Sequence, residues 1–397
     1  MNHNSCAPNS RWRIILGGMC ALGLSLGMAR FAYTPMLPIM QREVGLSVAL
    51  GGWLATANYL GYICGALIAA WLDDPALRRR VYLWGLGLGV LSTAGMAIST
   101  QPAVWFLARF LGGLSGAAGM LLGLGLVLSW LMRQGYRAEL GVYFSGAGLS
   151  IVVSGLMAMA FVAAHWSWQQ QWWGYTAAAL LLWGGAWRYS PDAPPAAQSS
   201  APPPLVSGAM RRLIVMYFFA GIGFAVSATF TVAMVDAATG HGTQGPITWI
   251  GVGLLAAVGT IVWDRIARRW GQVRAIMWAL VLQSLSVFWP ALAPTLVGTV
   301  GGAVLFGMTF SGIVATSLAV AGRLAPNNPG KAMARLTLAY GVAQVLAPAF
   351  TGTLVAATGH YEVALTLTGV MLLAGAAMLW PLRRGADAQP PQLDPGQ

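Results

Sequence analysis

The chain has 397 residues, 57% hydrophobic and only 8% charged, where an ordinary soluble domain carries about a quarter charged residues. With 51 Gly, 18 Met and 18 Trp, this balance excludes a disordered chain, a coiled coil, a disulfide scaffold and a cytosolic enzyme, and it points to a polytopic membrane protein. The net charge of +12 does not read as a nucleic-acid footprint, because almost every Arg ends an apolar segment and none lies in a basic run interleaved with aromatics.

A bilayer core about 30 Å thick takes about 20 apolar residues per helix. In chain order, such segments are expected at 12–40, 48–72, 81–99, 102–132, 139–164 and 171–188. They resume at 211–236, 247–263, 272–293, 295–323, 333–357 and 360–382, with 247–263 the shortest. The first follows Arg11 and Arg13 but outruns a signal peptide's apolar core of about 7–15 residues, so it reads as an uncleaved membrane helix. Pro191–Ala209 is rich in Pro, Ala and Ser, a composition that suits a semi-rigid spacer. The expected layout is a tail at 1–11, six helices in 12–190, a linker at 191–210, six more helices in 211–384 and a tail at 385–397.

Orientation follows from the 22 Lys and Arg. With the N-terminus inside, all but three fall on the inner side: Arg42 is outside, and Arg30 and Arg109 lie within helices. That bias predicts an even number of spans, a multi-pass protein of the inner (plasma) membrane, and both termini in the cytoplasm. Trp166, Trp168, Trp172 and Trp173 surround the loop after the fifth segment, as an outer aromatic belt would. Cys6 is in the tail and Cys20 and Cys64 are in apolar segments, so no disulfide framework, metal site or cofactor is expected.

The two sets of helices repeat weakly. YFSGAGLSIVVSG at 143–155 matches YGVAQVLAPAFTG at 340–352 in its Tyr and Gly spacing. AWLDDPALRRR at 70–80 likewise matches TIVWDRIARR at 260–269. An apolar helix ending in Asp, a short turn and then paired Arg resembles the loop signature of the major facilitator superfamily (MFS). RFLGGLSGAA, from Arg109 to Ala118, is similar to that superfamily's fourth-helix Arg motif. Gly146 to Gly155 resembles its antiporter motif, but Ser150 and Ile151 stand where Gly-Pro is expected, and a Pro occurs instead at Pro348. RFAYTPMLP at 30–38 and ANYLGY at 57–62 look like the YbfB/YjiJ branch.

The resemblance implies an all-α integral membrane fold. Twelve transmembrane helices would form two pseudo-symmetric six-helix bundles around a central cavity, which rock to expose it alternately. It implies a small-molecule solute, a surrounding lipid bilayer and no nucleic acid; a monomer is expected. Small-xxx-small spacing at Gly112 and Gly116 and at Gly119 and Gly123, with Gly85, Gly87 and Gly89, suits close helix packing in any case.

Of the ten acidic residues none falls at a membrane centre, and the four His lie in the tail or at the outer surface. A proton relay needs a titratable group in the pathway. Asp236 is the nearest candidate for a coupling proton or ion, set against a plain solvated helix-end carboxylate. Arg30 lies about 24 Å from the inner face and Arg109 about 10 Å from the outer face, so both belong to the outer half of the core. A guanidinium there costs about 2.5–3.5 kcal/mol unless it meets water, a partner or a ligand. Snorkelling is the alternative for Arg30, and bonding to backbone carbonyls the alternative for Arg109. Tyr33, Thr34, Asn58, Tyr62, Ser227, Thr231 and Gln344 are expected to line the same site. Asp73, Asp74 and Arg78, with Asp264, Arg265 and Arg268, are expected to act as inner-face gates, since acids at helix ends can pair with Arg or cap a facing helix.

These features favour a secondary transporter of a small anion or carboxylate. Efflux of neutral or amphipathic compounds is the alternative. An integral-membrane enzyme fits poorly, because buried His, Asp and Glu are missing. No GxxxxGK[ST] loop occurs, so a gradient is expected to drive transport.

Overall fold

The computed structural model describes residues 9–72, 74–134, 140–192, 207–240, 243–325 and 329–383. Asp73, the linker at 193–206, residues 1–8 of the first tail and the tail at 385–397 therefore lie outside the described residues. Among the described residues, twelve helical rods follow one another in chain order. α1 runs in three pieces: Asn9–Leu22, a π-helical stretch Gly23–Phe31, and Tyr33–Val44. α2 is Val48–Trp71, and α3 is Pro75–Ile98. α4 joins Pro102–Ala117, a second π-helical stretch Ala118–Gly123, and Leu124–Arg133. α5 is Leu140–Ala163, α6 Trp168–Arg188, α7 Gly208–Thr239 and α8 Gln244–Trp270. α9 is Gln272–Leu292, α10 Leu296–Leu324, α11 Pro329–Thr358 and α12 Glu362–Met378.

Local chemistry sets the ends. Ser47 caps α2 by accepting from the Leu50 amide, and Ser167 and Gln170 close a capping box on α6. Asp74 accepts from the amides of Ala76 and Leu77 with Pro75 in the first helical position. α3 therefore starts at Pro75 and not at 81, and Arg78, Arg79 and Arg80 belong to its first turns. Gly45 and Gly240 end α1 and α7 with φ of 66° and 69°, the left-handed region open to glycine.

Eleven of the described helices are long and apolar enough to cross a membrane. α8, expected to be the shortest at 247–263, is one of these, with 27 residues. The helix outside that set is α6, whose 21 residues suffice but whose first turn carries Gln169, Gln170 and Gln171. The tryptophan belt is only half outward. Trp166 and Trp173 are exposed, whereas Trp168 packs on Trp105 and Trp172 donates to the Met40 sulfur.

The pairings α2–α4, α3–α6 and α1–α5 recur six helices later as α8–α10, α9–α12 and α7–α11. The fold is thus two pseudo-symmetric six-helix bundles, and they meet along α2–α11, α5–α8 and α1–α7. Large apolar side chains such as Trp71, Leu181, Leu292 and Val297 face outward, while Arg30, Asn58, Arg109 and Gln283 are buried. A bilayer favours that inverted pattern, since the outer surface meets hydrocarbon and polar groups must be satisfied within the bundle. The face carrying the α1–α2 turn, which the charge bias assigns to the outside, is called the outer face below.

Candidate functional site

Arg109 of α4 is only 2% exposed and gives two of its donors to backbone. Its Nη1 donates to the Ala29 carbonyl at 2.9 Å and its Nε to the Leu54 carbonyl at 3.4 Å. The guanidinium stands 4.3 Å from the ring centre of Tyr33, whose hydroxyl donates to Gly51 O at 2.9 Å. Asn58 adds a second strap, donating from Nδ2 to Arg109 O at 2.9 Å and to Ala29 O at 3.5 Å. Ala29 lies in the π-helical stretch of α1, where Ala32 N bonds back to Gly27 O, and this altered register accompanies the side-chain donors on Ala29. α2 and α4 approach closely enough for this because residues 61 and 113 are Gly; a Cβ at 113 would lie 1.9 Å from Asn58 O and one at 61 would lie 2.1 Å from Phe110 O.

Arg30, next to Ala29, differs from Arg109. It is 9% exposed, and its Nε is buried without a hydrogen-bond acceptor. Its guanidinium carbon lies 4.4 Å from the Tyr59 ring centre, 5.4 Å from Tyr62, 5.9 Å from Phe31 and 5.8 Å from Phe224 of the other bundle. The snorkelling alternative is thus corrected: the head group turns inward among rings. Cation–π contact replaces part of its lost hydration but leaves the directional donor unused. Both Arg line one cavity of about 10 Å³, room for about one water molecule.

The other expected residues divide. Thr34 lines the cavity and donates to Ala228 O of α7 at 2.5 Å, joining the bundles. Ser227 and Thr231 are buried one turn apart on α7, with Thr231 Oγ1 donating to Ser227 O. Tyr62 faces Arg30, and Gln344 is buried beside Val345, whose carbonyl takes the Thr56 hydroxyl. Sequence reasoning missed Tyr59 and Phe224. Tyr59 was signalled by its position three residues before Tyr62 on the same helical face, but no pattern within α7 marked Phe224.

The gates divide similarly. Asp74 caps its own helix, and Arg78 donates to Leu72 O. Asp264 pairs with Arg268 on α8, and Arg265 is exposed on the same helix. Asp236 is not the solvated carboxylate weighed above: it is 5% exposed and pairs with Arg42, tying α7 to α1 near the outer face. Among the described residues, no group of His, Cys, Asp and Glu could hold a metal.

Comparison with known proteins agrees with this architecture. The family model described as "Uncharacterised MFS-type transporter YbfB" matches residues 22–379. The MFS-type transporter YceJ of Bacillus subtilis is 37% identical over 92 residues, 23% of this chain and 24% of that one. The puromycin resistance protein pur8 of Streptomyces alboniger is 33% identical over 137 residues, 34% of this chain and 26% of that one. The chain thus aligns with about a quarter of the length of these relatives. In fold it is similar to the nucleoside transporter NupG, with a TM-score of 0.74 at 13% identity over 94% of this chain and 99% of that one. It is also similar to a bacterial homologue of the human lysosomal transporter Spinster in an inward-facing, unoccupied conformation. There the TM-score is 0.73 at 14% identity, over 97% and 100% of the two chains. By family match and fold together, the chain belongs to the YbfB-type family of MFS transporters, multi-pass membrane proteins.

Proposed function

We propose that this protein carries a small organic anion, most simply a carboxylate, across the membrane by alternating access, with Arg30 as the anion's partner. The observation that supports this reading is the buried Nε of Arg30, which has no acceptor in a cavity between the bundles. A buried charged donor left unpaired is costly, and a carboxylate arriving there would satisfy it. Arg109 plays a different part: it positions α1 and leaves recognition to Arg30. Thr34, Asn58 and Tyr62 shape the wall, while Ser227, Thr231 and Gln344 supply polar backing from the second bundle.

In this reading Arg42–Asp236 and Thr34–Ala228 hold the outer face shut. Asp236 then serves as a gate and not as a coupling group. Asp74 and Arg78, with Asp264, Arg265 and Arg268, would exchange their present partners for cross-bundle ones when the inner face closes. The membrane is the plasma membrane, and both termini are cytoplasmic, following the charge bias.

A second reading is export of neutral amphipathic compounds, favoured by the apolar rings around Arg30 and by the likeness to a puromycin resistance protein. Reconstitution of the full chain in proteoliposomes separates the two. Carboxylates should compete for transport, and their amides should not. Equal competition by amides would select the second reading.

A further inference from the structure

We infer that the solute is an aromatic monocarboxylate, a deepening that rests on Arg30 as the anion's partner. A cluster of aromatic rings continues beyond Arg30. Phe224, 5.8 Å from its guanidinium, is 5.3 Å from Phe310 and 5.8 Å from Tyr340 between ring centres. Phe306 stacks on Phe310 at 4.9 Å, and Tyr217 stacks on Tyr340 at 4.6 Å. An aromatic wall thus runs across α7, α10 and α11, with one unsatisfied cationic donor at its edge.

In this state the rings close upon one another, and the space beside Arg30 holds about one water. A solute must therefore part the bundles and replace ring–ring contacts with contacts of its own. A planar aromatic body restores stacking and edge contacts that a saturated body of equal size does not. The wall alone would also suit an organic cation, but Arg30 repels one. A second carboxylate would have to share Arg109 with the carbonyls of Ala29 and Leu54, which already take its Nη1 and Nε. One negative charge and one flat apolar body remain.

The test measures binding to the purified full chain in lipid nanodiscs. Benzoate and phenylacetate are compared with cyclohexanecarboxylate and cyclohexylacetate, and also with benzamide and terephthalate. The aromatic acids should bind about tenfold or more tighter than their saturated partners, with benzamide and terephthalate weaker than benzoate. Phe224→Leu should shrink the aromatic preference, weakening benzoate binding more than cyclohexanecarboxylate binding. The wild-type panel decides the matter even if that variant folds poorly. Equal or tighter binding of the saturated acids overturns the aromatic class and leaves the anion reading standing. Binding of benzamide at least as tight as benzoate overturns the anion reading itself. Absence of binding by every carboxylate in the panel overturns the inference.

Discussion

The Nη1 of Arg109 donates to the carbonyl of Ala29 at 2.9 Å, and Ala29 is the residue immediately before Arg30. One buried Arg thus holds the backbone from which the other projects. Like charges share the cavity because Arg109 is satisfied by carbonyls and by Tyr33, while Arg30 is left among rings.

Arg109→Lys keeps the charge but loses the fork that spans two carbonyls. It should lose one hydrogen bond from a charged donor and cost about 1.5–3 kcal/mol of stability. Transport should fall more than surface expression does. Thermal unfolding and uptake on matched amounts of protein check this; a variant as stable and as active as wild type would remove the positioning role.

Asp236→Asn should loosen the outer closure. Removing one partner of a fully buried ion pair costs about 3–5 kcal/mol. The Arg42 side chain is 35% exposed, so about 1–2 kcal/mol is expected here. That corresponds to an approximately five- to thirtyfold shift toward an outward-open population. Labelling of a cysteine at Ala228 by an impermeant reagent should speed up accordingly. The exchange Arg42→Asp with Asp236→Arg should reverse part of the effect. Unchanged labelling in the single variant would count against a gate.

Gly113→Ala should damage the first bundle, because the new Cβ would lie 1.9 Å from Asn58 O, a backbone atom that cannot rotate away. Overpacking of this kind costs about 1–3 kcal/mol or more. Gly125→Ala, which meets no atom within 4 Å, is the matched control. Comparable melting temperatures for the two variants would show that the α2–α4 approach is less tight than described.

What the sequence made legible was governed by local rules. Hydropathy located the helices, and spacing placed Arg30 and Arg109 at one depth, because both depend on a chain segment and its rise per residue. The start of α3 was misplaced because Asp74–Pro75 looked like a loop, although the same dipeptide is a helix cap. The Arg42–Asp236 pair and the Arg30–Phe224 contact were not legible. Each joins residues from different bundles, 194 positions apart for the ion pair, and no periodicity within a helix encodes such a meeting. The partners of Arg109 are carbonyls, which every residue carries, so the sequence could name that class but not Ala29 and Leu54.

Topology has its own check. A single cysteine at Ser200, introduced into a cysteine-free background, should resist an impermeant thiol reagent in intact cells and react after lysis. Labelling in intact cells would invert the orientation and exchange the inner and outer faces assigned above.

The most direct measurement of the central claim is calorimetric binding of the tightest carboxylate to wild type, Arg30→Lys and Arg30→Gln. Hydrogen bonds to charged groups contribute about 1.5–3 kcal/mol, so Arg30→Gln should weaken binding by about 10- to 150-fold, with Arg30→Lys in between. The neutral amide should bind all three proteins alike. If Arg30→Gln binds the carboxylate as tightly as wild type does, Arg30 is not the anion's partner and the account fails.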